Sequence, residues 1–317
     1  MTKADYLISI IKSHYSNEPE RFTTLALQIA SHEAKKGHTR VAREIKEIVD
    51  QSKAVRLQNK SFSKELDGLI EIHHSVFRKS DIITSKSVQS KINRIIQEFI
   101  QRDKLRKHNF ENRRKILLSG PPGTGKTLTA SILSNELKLP LYRVMMDKMV
   151  TKFMGETSAK LRQVFDAIQH QKGVYLFDEF DAIGGERGRD DDVGEMRRVV
   201  NSFLQFIEQD DSNSLIIAIT NNKSLLDQAL FRRFDDVILY HLPDEKEKLE
   251  LLKNKLSAFK NHLNFDQLLP KINGLSHAEI SLACMDAIKE TILNENIRMN
   301  NSLILRALED RSAAYHQ

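Results

Sequence analysis

Gly120-Pro121-Pro122-Gly123-Thr124-Gly125-Lys126-Thr127 sits between the apolar run Lys115-Ile116-Leu117-Leu118 and a segment from Leu128 to Leu137 whose apolar residues recur at helical spacing. A chain carrying this octet has to place a buried strand, a tight turn and a helix N-terminus in that order. Glycines at 120, 123 and 125 let the backbone turn with its N–H groups pointing inward, which makes a nest for phosphate oxygens at the start of the helix. Lys126 then reaches the β- and γ-phosphates of a nucleoside triphosphate, and the Thr127 hydroxyl reaches its magnesium ion. The expected nucleotide contacts run from Gly120 through Leu128.

The remaining length allows more than this one unit. At 317 residues there is room for two or three domains, and 40% hydrophobic with 29% charged residues is the composition of a soluble globular protein. Neither a membrane span nor a secretory signal is visible, so the expectation is a cytoplasmic protein with no membrane partner. Cys284 is the only cysteine, which excludes an internal disulfide and a cysteine-rich metal site; its helical, apolar setting reads as core. The net charge of +6 is uneven: residues 1–110 carry a balance of +8 and the remainder −2. A basic front third favours an acidic partner or nucleic acid, but its cations are interleaved with acids and no aromatic is placed for base stacking. A solvated helical surface explains it better.

Three amphipathic segments open the chain, Ala4 to His14, Pro19 to Lys36 and His38 to Gln51, with Gly37 as a helix stop between the second and third. Phe22, Leu25, Ala26 and Ile29 share one face, and Val41, Ile45, Ile48 and Val49 another. We read residues 1–52 as a helical N-terminal domain that selects clients or a partner, and 53–64 as a linker. A helix from about Ser87 to Arg106 leads into the phosphate-loop strand. Strands follow at Leu141 to Met145, Val174 to Phe177, Leu215 to Ile219 and Val237 to Leu242, with helical patterns between most of them. The fold class is therefore α/β: a parallel sheet of the phosphate-loop NTPase type, with helices on both faces, over 65–243. After Pro243 the pattern is wholly helical, giving a small lid domain over 244–317. Asp244 with Glu247 has the spacing of a helix cap, and Ser276 with Glu279 that of a capping box.

Val174-Tyr175-Leu176-Phe177-Asp178-Glu179 is an apolar strand ending in two carboxylates. Opposite a phosphate loop, Asp178 holds magnesium, commonly through water, and Glu179 orients or deprotonates the attacking water. The pattern gains specificity from what surrounds it. The phosphate loop, Asp178-Glu179-Phe180-Asp181-Ala182, Ile219-Thr220-Asn221 and Leu226-Asp227-Gln228-Ala229-Leu230-Phe231-Arg232-Arg233-Phe234-Asp235 occur in the order and spacing that resemble the AAA family of ATPases, from about Ser61 to the C-terminus.

The resemblance implies further roles. Asn221 looks like the polar sensor of the attacking water, against a plain strand-ending turn residue. Arg232 and Arg233 look like paired arginine fingers that act on the neighbouring subunit's nucleotide, which implies a homo-oligomeric ring, most simply a hexamer. Their compact Arg-Arg-Phe form lacks the Pro-Gly insertion of many relatives and is closer to the katanin and spastin type; the chain also resembles bacterial single-ring protein-remodelling ATPases. Gly274-Leu275-Ser276-His277-Ala278-Glu279-Ile280 resembles the start of the lid helix over the nucleotide; His277 and Ala278 either approach adenine and ribose or belong to a plain helix cap. Lys152-Phe153-Met154-Gly155-Glu156 resembles the pore loop of AAA unfoldases, where Phe153 and Met154 grip an extended polypeptide; the alternative is that Phe153 is a core residue. Gly185 to Asp192 is either a second pore loop or a solvated one. His73-His74 has no partner at metal-ligand spacing and reads as structural.

Together these features imply an ATP-hydrolysing ring that unfolds or remodels protein by pulling polypeptide through a central pore. It could feed a separate protease, with a subtilisin-like peptidase as the candidate partner. The alternative from another class is a nucleic-acid-associated ATPase, a loader, replication or defence factor. The basic front third speaks for it and Phe153-Met154-Gly155 against it.

Overall fold

The computed structural model describes residues 9, 12–13, 19–46, 49, 66, 68–149, 154–180, 190–221, 231–294 and 298–315. The chain divides into two compact units, Met1–Glu65 and Leu66–Gln317.

In the first unit, helix α1 (Pro19–Lys35) buries Leu25, Ala26 and Ala30 on one face. It ends in a left-handed Gly37, whose N–H donates to the Ala34 carbonyl (3.1 Å) while the His38 N–H reaches back to Glu33 (3.0 Å). This paired closure satisfies carbonyls that the helix end would otherwise leave open. Residues 39–46 are again helical. Val41, expected on that helix's apolar face, is instead exposed. Most of the expected first helix, 4–14, lies outside the described residues.

The second unit is built on a six-stranded sheet: β1 (Ile70–His73), β2 (Lys115–Ser119), β3 (Leu141–Val144), β4 (Val174–Phe177), β5 (Leu215–Thr220) and β6 (Asp236–Leu239), in the order β1-β3-β4-β5-β2-β6. All neighbours are parallel except β1 against β3. Alternation along the strands serves two cores. Val174 and Leu176 of β4, with Ile116 and Leu118 of β2, pack beneath helix α2 (Lys86–Ile100) through Ile92, Ile95 and Phe99, and beneath α3 (Lys126–Leu137) through Ala130 and Leu133. On the opposite face, Phe177 meets Phe165 of α4 (Met154–His170) and Phe203 of α5 (Asp190–Gln209), with Phe180 against the same Phe203. A strand buried on both faces explains the unbroken apolar runs.

One local expectation is corrected and one strand is added. The helix over 87–106 is broken at Gln101 and restarts as Arg102–Arg106, because the buried stripe ends at Phe99 and Ile100 is already in solvent. Strand β1 went unread: four residues paired antiparallel at the sheet edge carry little pattern of their own.

The helical end has its own core. Leu251 and Leu252 of α6 (Glu245–Lys255), Ile280, Ala283 and Cys284 of α7 (His277–Leu293), and Ile304 and Leu308 of α8 (Asn301–Tyr315) form one cluster. Capping boxes start α6 at Asp244 and α7 at Ser276. Burial pushes the Cys284 thiol up to about 12, so it is a packing group. Among the described residues no helix is long and apolar enough to cross a membrane.

Candidate nucleotide site

The site forms where β2, β4 and β5 end side by side. Ser119 stands opposite Thr220 across the parallel ladder, and the Gly120 N–H donates to the Thr220 carbonyl (3.3 Å), which brings Asn221 to the rim of the phosphate loop. Gly120, Gly123 and Gly125 all have positive φ, the region where a side chain is strained. Space also forbids side chains at two of them. A Cβ on Gly120 would lie 2.3 Å from the Tyr240 carbonyl oxygen, and one on Gly123 would lie 2.4 Å from Ser276 Oγ.

Lys126 is buried at the base of the loop, its ammonium donating to the carbonyls of Gly120 (2.8 Å) and Pro121 (2.7 Å). The Thr124 hydroxyl donates to the same Pro121 carbonyl (2.7 Å), which closes the turn. Pro122, Gly123 and Thr127 are exposed, while Leu128 is half-buried.

Strand β4 delivers the acids. Asp178 Oδ2 accepts from the Thr127 hydroxyl at 3.2 Å and lies 3.5 Å from the Arg143 guanidinium of β3; its Oδ1 accepts the Glu179 N–H at 3.0 Å. Glu179 itself is exposed and adopts φ +54, a left-handed conformation that costs a non-glycine residue roughly 1–2 kcal/mol. The donor set Thr127 hydroxyl plus Asp178 carboxylate is all hard oxygen, which fits magnesium.

The lid closes the other side. The Ala278 N–H donates to the Gly123 carbonyl at 3.0 Å, so the first turn of α7 rests on the phosphate loop. His277 places both ring nitrogens in buried positions without a hydrogen-bond partner. Burial holds its pKa down to about 4, only partly opposed by the Asp244 carboxylate, so the ring is neutral at pH 7. Orphaned ring nitrogens beside a phosphate cradle fit a nucleoside as the missing partner. Ile82 also closes on the loop, 3.6 Å from where a Gly125 Cβ would stand, and the adjacent Ile83 belongs to the lid core.

Two neighbours of the site carry no signal in the sequence. Tyr240 pairs with Ser119 through its backbone N–H (2.7 Å) and shares a buried hydrogen bond with Thr129 on α3 (2.6 Å), backing the loop from just past β6; burial raises its phenol pKa. Arg143 is visible only through its contact with Asp178. Both act over long sequence separations, where no local motif exists.

Arg232 and Arg233 are not part of this cluster. Asp235 accepts the N–H groups of Arg114 (2.7 Å) and Lys115 (2.9 Å), which fixes the segment at the start of β2. The phosphate loop is at the other end of that strand, about 13 Å away at the usual rise per residue. Arg233 pairs with Glu208 at the end of α5 (3.1 Å), while Arg232 is exposed. Lys152 and Phe153 lie outside the described residues, as does most of the segment from Gly185 to Asp192; Met154 opens α4, its side chain not described.

Residues 116–242 match the family described as "ATPase family associated with various cellular activities (AAA)". The chain is also 33% identical to the protein named "Uncharacterized AAA family ATPase y4kL" of Sinorhizobium fredii, over 98% of this chain and 96% of that protein. The chain belongs to the AAA family of ATPases. Binding and hydrolysis of ATP are accordingly its activity. This AAA ATPase is further similar to the ATP-dependent zinc metalloprotease FtsH of Mycoplasmopsis synoviae, 31% identical over 76% of this chain and 38% of that protein. It is 32% identical to the proteasome-activating nucleotidase of Methanoregula boonei over 61% of this chain and 47% of that protein. It spans less than half the length of these last two.

Proposed function

We propose that this AAA ATPase is the subunit of a cytoplasmic homo-oligomeric ring, a hexamer, that uses ATP hydrolysis to unfold or remodel protein by drawing polypeptide through a central pore. The observation that carries the reading is the similarity to two proteins named for proteolysis and proteasome activation across 76% and 61% of this chain. Lys152-Phe153-Met154, where the sequence enters α4, supports it, since an apolar grip is non-directional and tolerates any client sequence. A separate protease, subtilisin-like as the first candidate, is the partner that would degrade what the ring delivers.

In this reading the loop N–H groups from Gly120 to Thr127 cradle the phosphates, and Lys126 moves its ammonium from loop carbonyls onto the β- and γ-phosphate oxygens. Thr127 and Asp178 would hold magnesium, whose chemistry there would be to offset charge on the phosphoryl group. Glu179, exposed just past the end of β4, takes the proton of the attacking water, and Asn221 orients that water. Arg232 and Arg233, at the far end of β2, serve the adjoining subunit's nucleotide, where a guanidinium can contact two phosphate oxygens at once. His277 and Ala278 read nucleoside and lid position together.

The test is ATP turnover with ring size followed by light scattering. We expect an assembled ring whose turnover rises several-fold with an unfolded protein and is abolished in Glu179→Gln. Turnover indifferent to polypeptide but stimulated by DNA would replace this reading with a nucleic-acid-associated ATPase.

A further inference from the structure

Arg143 stands between two carboxylates on one face of the sheet. It is paired in register with Glu71 across the antiparallel β1–β3 ladder and with Leu176 across the parallel β3–β4 ladder, and Asp178 lies two residues beyond Leu176. In-register partners share a face, so Glu71 and Arg143 stand on one side of the sheet, the side from which Arg143 reaches Asp178 just past the end of β4. The guanidinium lies 3.5 Å from Asp178 Oδ2, the same oxygen that accepts from Thr127 at 3.2 Å. Asp178 is nearly enclosed, with 12% of its side chain accessible, whereas Arg143 is 45% accessible and can move. Glu71 is exposed, and directly opposite residues of an antiparallel pair have Cβ atoms about 5 Å apart, within reach of a long guanidinium stem.

We infer that Arg143 is a resident counter-cation of Asp178, which it releases to Glu71 when magnesium and nucleotide bind, so that Arg143 and Glu71 together set the magnesium requirement of ATP hydrolysis. A guanidinium and a divalent cation within 4 Å of one oxygen repel each other, so metal binding favours the guanidinium's departure. Glu71 gives the departing charge a partner and lowers the cost of the exchange. Arg143 is thus a positioning residue. It keeps the Asp178 carboxylate oriented toward Thr127 and is exchanged when the metal arrives. The inference rests on Thr127 and Asp178 being the metal-binding oxygens.

The experiment follows binding of N-methylanthraniloyl-ADP to the full chain, first in EDTA and then along a magnesium titration, and reads the half-saturating magnesium concentration. Asp178→Asn tests the underlying reading by itself: if magnesium tightens ADP binding in that variant as in wild type, the metal-site assignment fails. With the assignment intact, Arg143→Gln is expected to lower the half-saturating magnesium about two- to fivefold, the range for a half-exposed ion pair. Arg143→Lys should stay within about twofold of wild type. Glu71→Gln should raise the value about twofold, and have no effect once Arg143 is Gln. An unchanged or raised value in Arg143→Gln overturns the inference. Should that variant fail to bind ADP even in EDTA, Glu71→Gln decides, an unchanged value overturning it.

Discussion

The backbone N–H of Ala278 donates to the Gly123 carbonyl at 3.0 Å, so the lid helix and the phosphate loop are joined main chain to main chain. Ser276, which caps that helix, occupies the space where any side chain on Gly123 would have to go. Lid position and loop conformation therefore cannot vary independently.

Gly123→Ala should expose this coupling. The new methyl group meets Ser276 Oγ at 2.4 Å and the backbone is held at φ +71, so either the loop flattens or the lid lifts. We expect at least a tenfold loss of ADP affinity by calorimetry, equivalent to about 1.4 kcal/mol and in the range of left-handed strain alone. Unaltered affinity would mean the contact is dispensable.

His277 predicts a pH dependence. Its folded pKa, about 4, lies below the ordinary 6.5, so the unfolded chain binds the proton more readily. The stabilisation from its neutral buried ring is complete above pH 6.5 and is lost as pH falls toward 4. Melting temperatures compared at pH 7.5 and 5 should fall less in His277→Leu than in wild type; equal falls would place the acid sensitivity elsewhere.

If Arg232 and Arg233 serve a neighbour's nucleotide, inactive variants should complement each other. Glu179→Gln subunits keep the fingers, and Arg232→Ala/Arg233→Ala subunits keep the general base. In random one-to-one rings about a quarter of junctions are then complete, so mixing should restore turnover that neither variant has alone. No recovery in rings of confirmed mixed composition would argue for action within one subunit.

Tyr240→Phe removes only the hydroxyl shared with Thr129 and leaves the backbone carbonyl and Cβ that crowd Gly120. Urea unfolding should show a loss of about 1 kcal/mol. Ile95→Ala, in a side chain with no solvent exposure beneath the sheet, should cost about 3 kcal/mol. A smaller effect at Ile95 than at Tyr240 would contradict the assigned core.

The parts legible in the sequence are those whose physics is local. The phosphate loop announces itself through glycines that must turn within eight residues, Asp178-Glu179 through its place at the end of a doubly buried strand, and both lid caps through a three-residue spacing. Strand β1 escaped because Ile70 to His73 is stabilised by pairing with β3, and nothing in four residues encodes that partner. The break at Gln101 escaped because the helical pattern runs past the point where packing stops. Arg143 and Tyr240 take their places from residues 35 and 111 positions away, as read from their contacts with Asp178 and Thr129. Such placement follows from strand order, and strand order is set by the whole sheet.

Pulling polypeptide through the ring is tested most directly by ATP-dependent loss of fluorescence from a green fluorescent protein carrying an unstructured tail, with wild type beside Phe153→Ala. Wild type should extinguish the fluorescence with ATP and not with ADP, while Phe153→Ala should keep basal ATP turnover and assembled size yet leave the fluorescence intact. Phe153→Ala rings that extinguish it as fast as wild type would contradict the pore-threading account.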